Sequence, residues 1–141
     1  MSFLKKIQAQ YSVTAKDQIK YQVDVGIFDH SGKSSAEWQS FKTAKGVLSD
    51  PVTADIQKIA YKFFSVFKAK KLVVDPKSCR ISVDNTVLDF IFFPKDKTKD
   101  IYAQITFIFE RDGRELNVKD VLSKKDLKEL ESKLRALNSN Q

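Results

Sequence analysis

The chain has 141 residues, 42% of them hydrophobic and 30% charged, with a formal net charge of +7. That length suits one domain with one core, burying roughly 68–70% of the surface its unfolded chain exposes, and the composition excludes a disordered polymer. No run approaches the ~18 apolar residues of a membrane span, the opening MSFLKKIQAQ lacks the apolar stretch of a secretory signal, and the lone Cys79 excludes an internal disulfide. A single α+β domain over residues 1–141, cytoplasmic and not held in a membrane, is the expectation.

The first third reads as a hairpin. Ile7, Ala9, Tyr11 and Val13 alternate with polar residues, and so do Ile19, Tyr21, Val23, Val25 and Ile27. Asp29–Ser35 (DHSGKSS) is a cluster of loop formers. The segment Ser34–Lys45 is two-valued: Trp38 and Phe41 lie three apart, as in a short helix, yet a strand fits as well. From Thr53 to Lys70 the spacing of Ile56, Ile59, Ala60, Phe63, Val66 and Phe67 predicts a helix with one buried stripe. Ser49, Asp50 and Thr53 offer caps, and Pro51 stands near its first turn.

Strands follow at Arg80–Val83, Val87–Phe93 and Ile101–Phe109, with Asp84–Asn85 as a two-residue turn and Pro94 ending the second. Eight of the eleven phenylalanines fall between Phe63 and Phe109. The runs VLDFIFF and IYAQITFIF are apolar on both faces, so both faces need cover. Asp112–Gly113 predicts a further hairpin, returning through Leu116–Val118. Ser123 and Asp126 form a capping box ahead of a helix whose stripe is Leu127, Leu130, Leu134 and Leu137. The sum is an α+β fold: a mostly antiparallel sheet of about five or six strands, packed against a central helix and a C-terminal helix.

Few residues carry chemistry. Gly26–Ser34 (GIFDHSGKS) imitates a phosphate-binding loop, but five residues rather than four precede its Gly-Lys pair and Asp29 opposes phosphate; a polar connecting loop is the better reading. His30, the only histidine, sits in that loop as a solvated turn residue, with no nucleophile beside it. Cys79 precedes a strand and reads as a small buried hydrophobe. Asp89 interrupts VLDFIFF: in a central strand it would require a Lys or Arg partner, and the plainer reading puts it near a strand end or sheet rim.

Basic residues are the remaining signal. Residues 51–100 hold ten basic and six acidic groups, and 21 of the 25 basic residues are Lys, which solvates well and lacks the planar fork of Arg. Lys58, Lys62 and Lys68 lie along the central helix, Lys95, Lys97 and Lys99 in a loop, and Arg111 and Arg114 flank a hairpin tip. With Trp38 these are the candidate binding residues. No catalytic, metal or cofactor site is legible. The chain reads as a non-enzymatic macromolecule-binding domain, an accessory, regulatory or inhibitory protein that binds a protein, an acidic one where the lysines are used. Second stands a basic nucleic-acid-binding module using the same lysines, and third an enzyme with a carboxylate site. Self-association through the Phe-rich strands or the C-terminal leucines is a further expectation.

Overall fold

The computed structural model describes residues 18–30 and 37–137. The expected strand Ile7–Val13 and the Gly-Lys-Ser segment both lie outside the described residues. Six strands form one antiparallel sheet: β1 (Lys20–Asp29), β2 (Glu37–Val47), β3 (Arg80–Asp84), β4 (Val87–Phe92), β5 (Ile101–Arg111) and β6 (Arg114–Glu115). The order across the sheet is β2-β1-β5-β4-β3, with β6 paired to the far end of β5. Helix α1 (Val52–Ala69) links the two halves, while the short α2 (Val118–Val121) and the longer α3 (Lys124–Arg135) end the described chain.

The strand half of the Ser34–Lys45 ambiguity prevails. β2 pairs with β1 along its whole length, and a bulge between Val25 and Gly26 absorbs one residue. Trp38 and Phe41 therefore share a chain segment without sharing a helix face. The β3–β4 turn falls at Asn85–Thr86, one residue later than expected, because Asn85 takes the positive φ of +52°. At the β5–β6 tip Asp112 and Gly113 have φ of +54° and +75°, the backbone of a type I′ turn. The strand expected at Leu116–Val118 is displaced to Arg114–Glu115. Leu116 still donates to the Phe109 carbonyl at 2.8 Å, after which the chain coils into α2 so that Val118 enters the core.

Alternation sorts the inner face. Val23, Val25, Leu88, Phe90, Phe92, Ala103, Ile105, Phe107 and Phe109 all point into one core and are inaccessible to solvent. The α1 stripe of Ile56, Ile59, Ala60, Phe63, Phe64 and Phe67 meets them, with Phe64 edge-on to Phe92 at 5.0 Å. Burial of each such side chain contributes on the order of 1.5–3 kcal/mol. None of the expected side-chain caps closes the start of α1. Pro51 occupies the cap position, and the Asp55 carboxylate instead accepts from the Ser49 N–H at 2.8 Å. The capping box of Ser123 and Asp126 does open α3, whose Leu130 and Leu134 are fully buried in the same core. Those two leucines are committed to the fold and leave α3 without a free apolar seam.

Both helices thus cover one face. Phe28, Trp38, Val87, Ile91, Phe93, Tyr102 and Ile108 lie on the other, half-buried, and none belongs to the core or packs against it. The double cover expected for VLDFIFF and IYAQITFIF is supplied on one side only, among the described residues.

Candidate binding surface

The open face is organised in rows that run across the strands. In one row the register sets Trp38 opposite Phe28 and Phe28 opposite Tyr102. Their rings follow at 6.1 and 5.1 Å, the Phe28–Tyr102 pair stacked within 7° of parallel. Phe93, just beyond β4, extends the row at 5.7 Å from Tyr102, and the Arg80 guanidinium lies 5.4 Å over its ring. His30 stands over the middle, 5.5 Å from Phe28 and 5.4 Å from Tyr102. Gly26 makes this ladder possible: a side chain there would collide with the Trp38 indole, which lies against its backbone.

The next row on this face runs Ser40, Gly26, Gln104, Ile91 and Arg80, and the one beyond it is polar. Thr43, Asp24, Thr106, Asp89 and Ser82 succeed one another from β2 to β3. Ser40 Oγ and Thr43 Oγ1 donate to Asp24, while Thr106 Oγ1 and Gln104 Nε2 donate to Asp89 Oδ1 at 2.6 and 3.2 Å. Asp89 thus corrects both sequence readings. It sits mid-strand, neither at a rim nor against a cation, and neutral hydroxyl and amide donors satisfy it. The two carboxylates are separated by β5, about 9–10 Å between backbones, too far apart to share a proton. Burial, and after it the charge of Asp89, raises the pKa of Tyr102, so its phenol stays neutral.

The lysines divide. Lys58 and Lys62 are exposed on the outer side of α1, across the domain from the ladder. Arg111 and Arg114 sit at the other end of β5, roughly 30 Å from Tyr102 by strand rise. The end of α1 and the Lys95–Lys99 loop, by contrast, are drawn together. Lys95 N–H donates to the Val73 carbonyl at 2.9 Å, Val74 bridges Pro94, and the Phe93 N–H donates to Ser78 Oγ at 2.7 Å. Lys99 Nζ reaches the Lys71 carbonyl at 2.6 Å, and Lys97 pairs with Asp75 at 3.3 Å. Lys70, two residues past Lys68, places its ammonium 5.2 Å over the Phe41 ring. Backbone pairing between His30 and Asp100 at 2.9 Å joins this basic end to the aromatic row.

A cleft of about 370 Å³ opens there, lined by His30, Arg80, Ile91, Phe93, Ile101 and Tyr102, with Lys99 and Asp100 side by side at its edge. A larger hollow of about 650 Å³ at the opposite end of the sheet, around Gln22, Lys45 and Glu110, has Tyr21 as the one aromatic side chain in its lining. Of the sequence-derived candidates, Trp38 and the Lys95–Lys99 loop belong to the surface. Phe28, His30, Arg80, Phe93 and Tyr102 were missed. Tyr102 and Phe93 carried a signal as the ends of the two doubly apolar runs, but only the register aligns them with Phe28. Tyr61, on α1, packs edge-on to Phe64 at 5.4 Å, beside the core and away from this surface.

Cys79 lies apart from this surface and fully buried. Burial, then Glu131, pushes its thiol up to about 12 against the opposing charge of Arg135, whose Nε donates to the Cys79 carbonyl at 3.1 Å. The neutral thiol is therefore the folded form. Its contribution to stability is complete below the ordinary thiol pKa near 9 and declines as pH rises from there towards 12. Thiol-reagent titration should find Cys79 unreactive in the folded protein and fully reactive in denaturant, and Cys79→Ala should flatten the alkaline loss of stability. Rapid labelling of the native thiol would contradict its placement.

No family model matches the chain, and neither a curated protein nor a solved structure is significantly similar to it. Among the described residues no helix is long and apolar enough to cross a membrane, and no three His, Cys, Asp or Glu side chains gather as a metal site.

Proposed function

We propose that the chain is a non-enzymatic binding domain, an accessory or regulatory protein, whose open sheet face receives a macromolecular partner. One observation carries this reading: seven large apolar side chains from four strands and their flanks stand half-buried outside the core. A face with that much apolar surface, interleaved with satisfied polar groups, has the make-up of a docking surface. Asp24 and Asp89 are each held by neutral donors on their own sheet and stand about 9–10 Å apart across β5, which is not the spacing of a carboxylate pair sharing one site.

The test compares surfaces. The full chain, Ile91→Glu and the helix-face double variant Lys58→Glu/Lys62→Glu are each immobilised and used to capture macromolecules from extract of the source cells. Circular dichroism verifies that all three are folded. The species retained by the natural chain should be lost by Ile91→Glu and kept by the helix-face variant. Retention of every species by Ile91→Glu would remove the open face from the function.

A further inference from the structure

We infer that the ligand of this surface is a single-stranded nucleic acid, its bases stacked along the Trp38–Phe28–Tyr102–Phe93 row and its phosphates held at the lysine-rich end. The inference rests on the reading of the open face as the docking surface and names the partner. Two independent features converge on it. The first is the ladder: four aromatic side chains cross three strand spacings, about 14 Å, enough for two or three stacked bases. The second is charge. Lys70, Lys71, Lys77, Arg80, Lys95, Lys97 and Lys99 surround the same end through the folding of two distant segments, against Asp29, Asp75, Asp96 and Asp100.

The cleft joins the two features. Tyr102 and Phe93 form two of its sides, their rings inclined at 54°, while Arg80, His30 and Lys99 stand at its rim together with one carboxylate, Asp100. At 5.7 Å the two rings touch, so a base would lie on them and not between them, and every base has a π-face to offer, so the contact is tolerant of sequence. A phosphate attached to that base would come within reach of Arg80 and Lys99. Duplex DNA cannot enter in this way, because its bases are stacked inside the helix. The carboxylates of the polar row, two rows from the ladder, fix the direction of the strand. Asp24 and Asp89 repel phosphate, so the chain must run across the β-strands along the aromatic row, and not lengthwise over the polar one. An acidic protein segment would satisfy the lysines but leave the rings without stacking partners.

The probe is a fluorescently labelled 12-nucleotide oligothymidylate, titrated into the full chain at low and moderate salt. The single Trp38 supplies a second signal from within the site. Binding should quench Trp38, and its affinity should fall with salt with a log–log slope near −2, as about three phosphate contacts require at roughly −0.7 each. Tyr102→Ala and Phe93→Ala should each weaken binding about tenfold, Lys99→Ala should reduce the salt slope by about 0.7, and Lys58→Ala should change neither. Polyphosphate, polyglutamate and a duplex of equal length should all compete poorly. Equal competition by polyphosphate or polyglutamate, or unchanged affinity in the aromatic variants, would overturn the stacking site. Absence of any binding at low salt would overturn the nucleic-acid assignment as a whole. If either occurs while Ile91→Glu still loses the captured partner, the open face stands and its ligand is a protein. If Ile91→Glu keeps its partner, the docking surface itself fails.

Discussion

Phe107→Ala should destabilise the protein by about 3–5 kcal/mol, while Ile108→Ala, one residue along β5, should cost about 1 kcal/mol or less. Phe107 is wholly inaccessible and meets three rings, Tyr21 at 6.1 Å, Phe90 edge-on at 5.7 Å and Phe109 at 5.9 Å. Truncation leaves a cavity that a close-packed interior closes only in part, and it removes each of those contacts. Ile108 belongs to the open face, so its removal changes the exposed surface rather than the core. Urea unfolding reads the difference. At a slope near 2 kcal/mol per molar, Phe107→Ala should lower the midpoint by about 2 M and Ile108→Ala by a small fraction of that. Should Phe107→Ala fail to fold, Phe107→Leu makes the same comparison at smaller scale. Equal losses at the two positions would mean that the sheet is covered on both sides, and the open face would disappear.

Gly26→Ala should cost about 1–3 kcal/mol, an unusual penalty for adding a single methyl group to a strand. An ideal Cβ at this position would overlap the Gln39 carbonyl oxygen and stand 2.6 Å from Trp38 Cζ2 and Cη2. The backbone oxygen cannot rotate away. Either the bulge between β1 and β2 opens or the indole leaves its seat. Both responses register in the fluorescence of the sole tryptophan, which should shift towards that of a solvated indole, with a matching drop in the unfolding midpoint. A variant with natural stability and unaltered Trp38 emission would show that the indole does not rest on Gly26.

The α+β architecture was legible because its signals are local. The 3-4-7 spacing of Ile56 to Phe67 marked α1 to within a residue at each end. The Ser123–Asp126 capping box marked the start of α3, and Asp112–Gly113 marked the last hairpin. Each of these depends on residues within a few positions of one another, where helical and strand periodicities and turn chemistry act directly. The errors share the opposite character. β2 resisted assignment because Trp38 serves the open face and Phe41 the helix side, across a bulge that breaks simple alternation. Leu116–Val118 lost its strand to a tertiary demand, the burial of Val118 as the first residue of α2. Asp89 found neutral partners because Thr106 and Gln104 stand beside it on β5, which no spacing along β4 reveals.

The candidate surface was half visible. The doubly apolar runs announced that a second face existed, and the lysines announced an electrostatic end. Sequence alone determined α1, α3, the strands β1, β3, β4 and β5, and the excess of apolar residues beyond what one core face can use. Tertiary structure decided that both helices take the same side of the sheet. It also decided that Trp38, Phe28 and Tyr102 share one row, and that Lys71 and Lys99, 28 residues apart, touch. The reason is physical: periodicity is written along the chain, whereas strand register and loop docking are set by packing and pairing between segments remote in sequence.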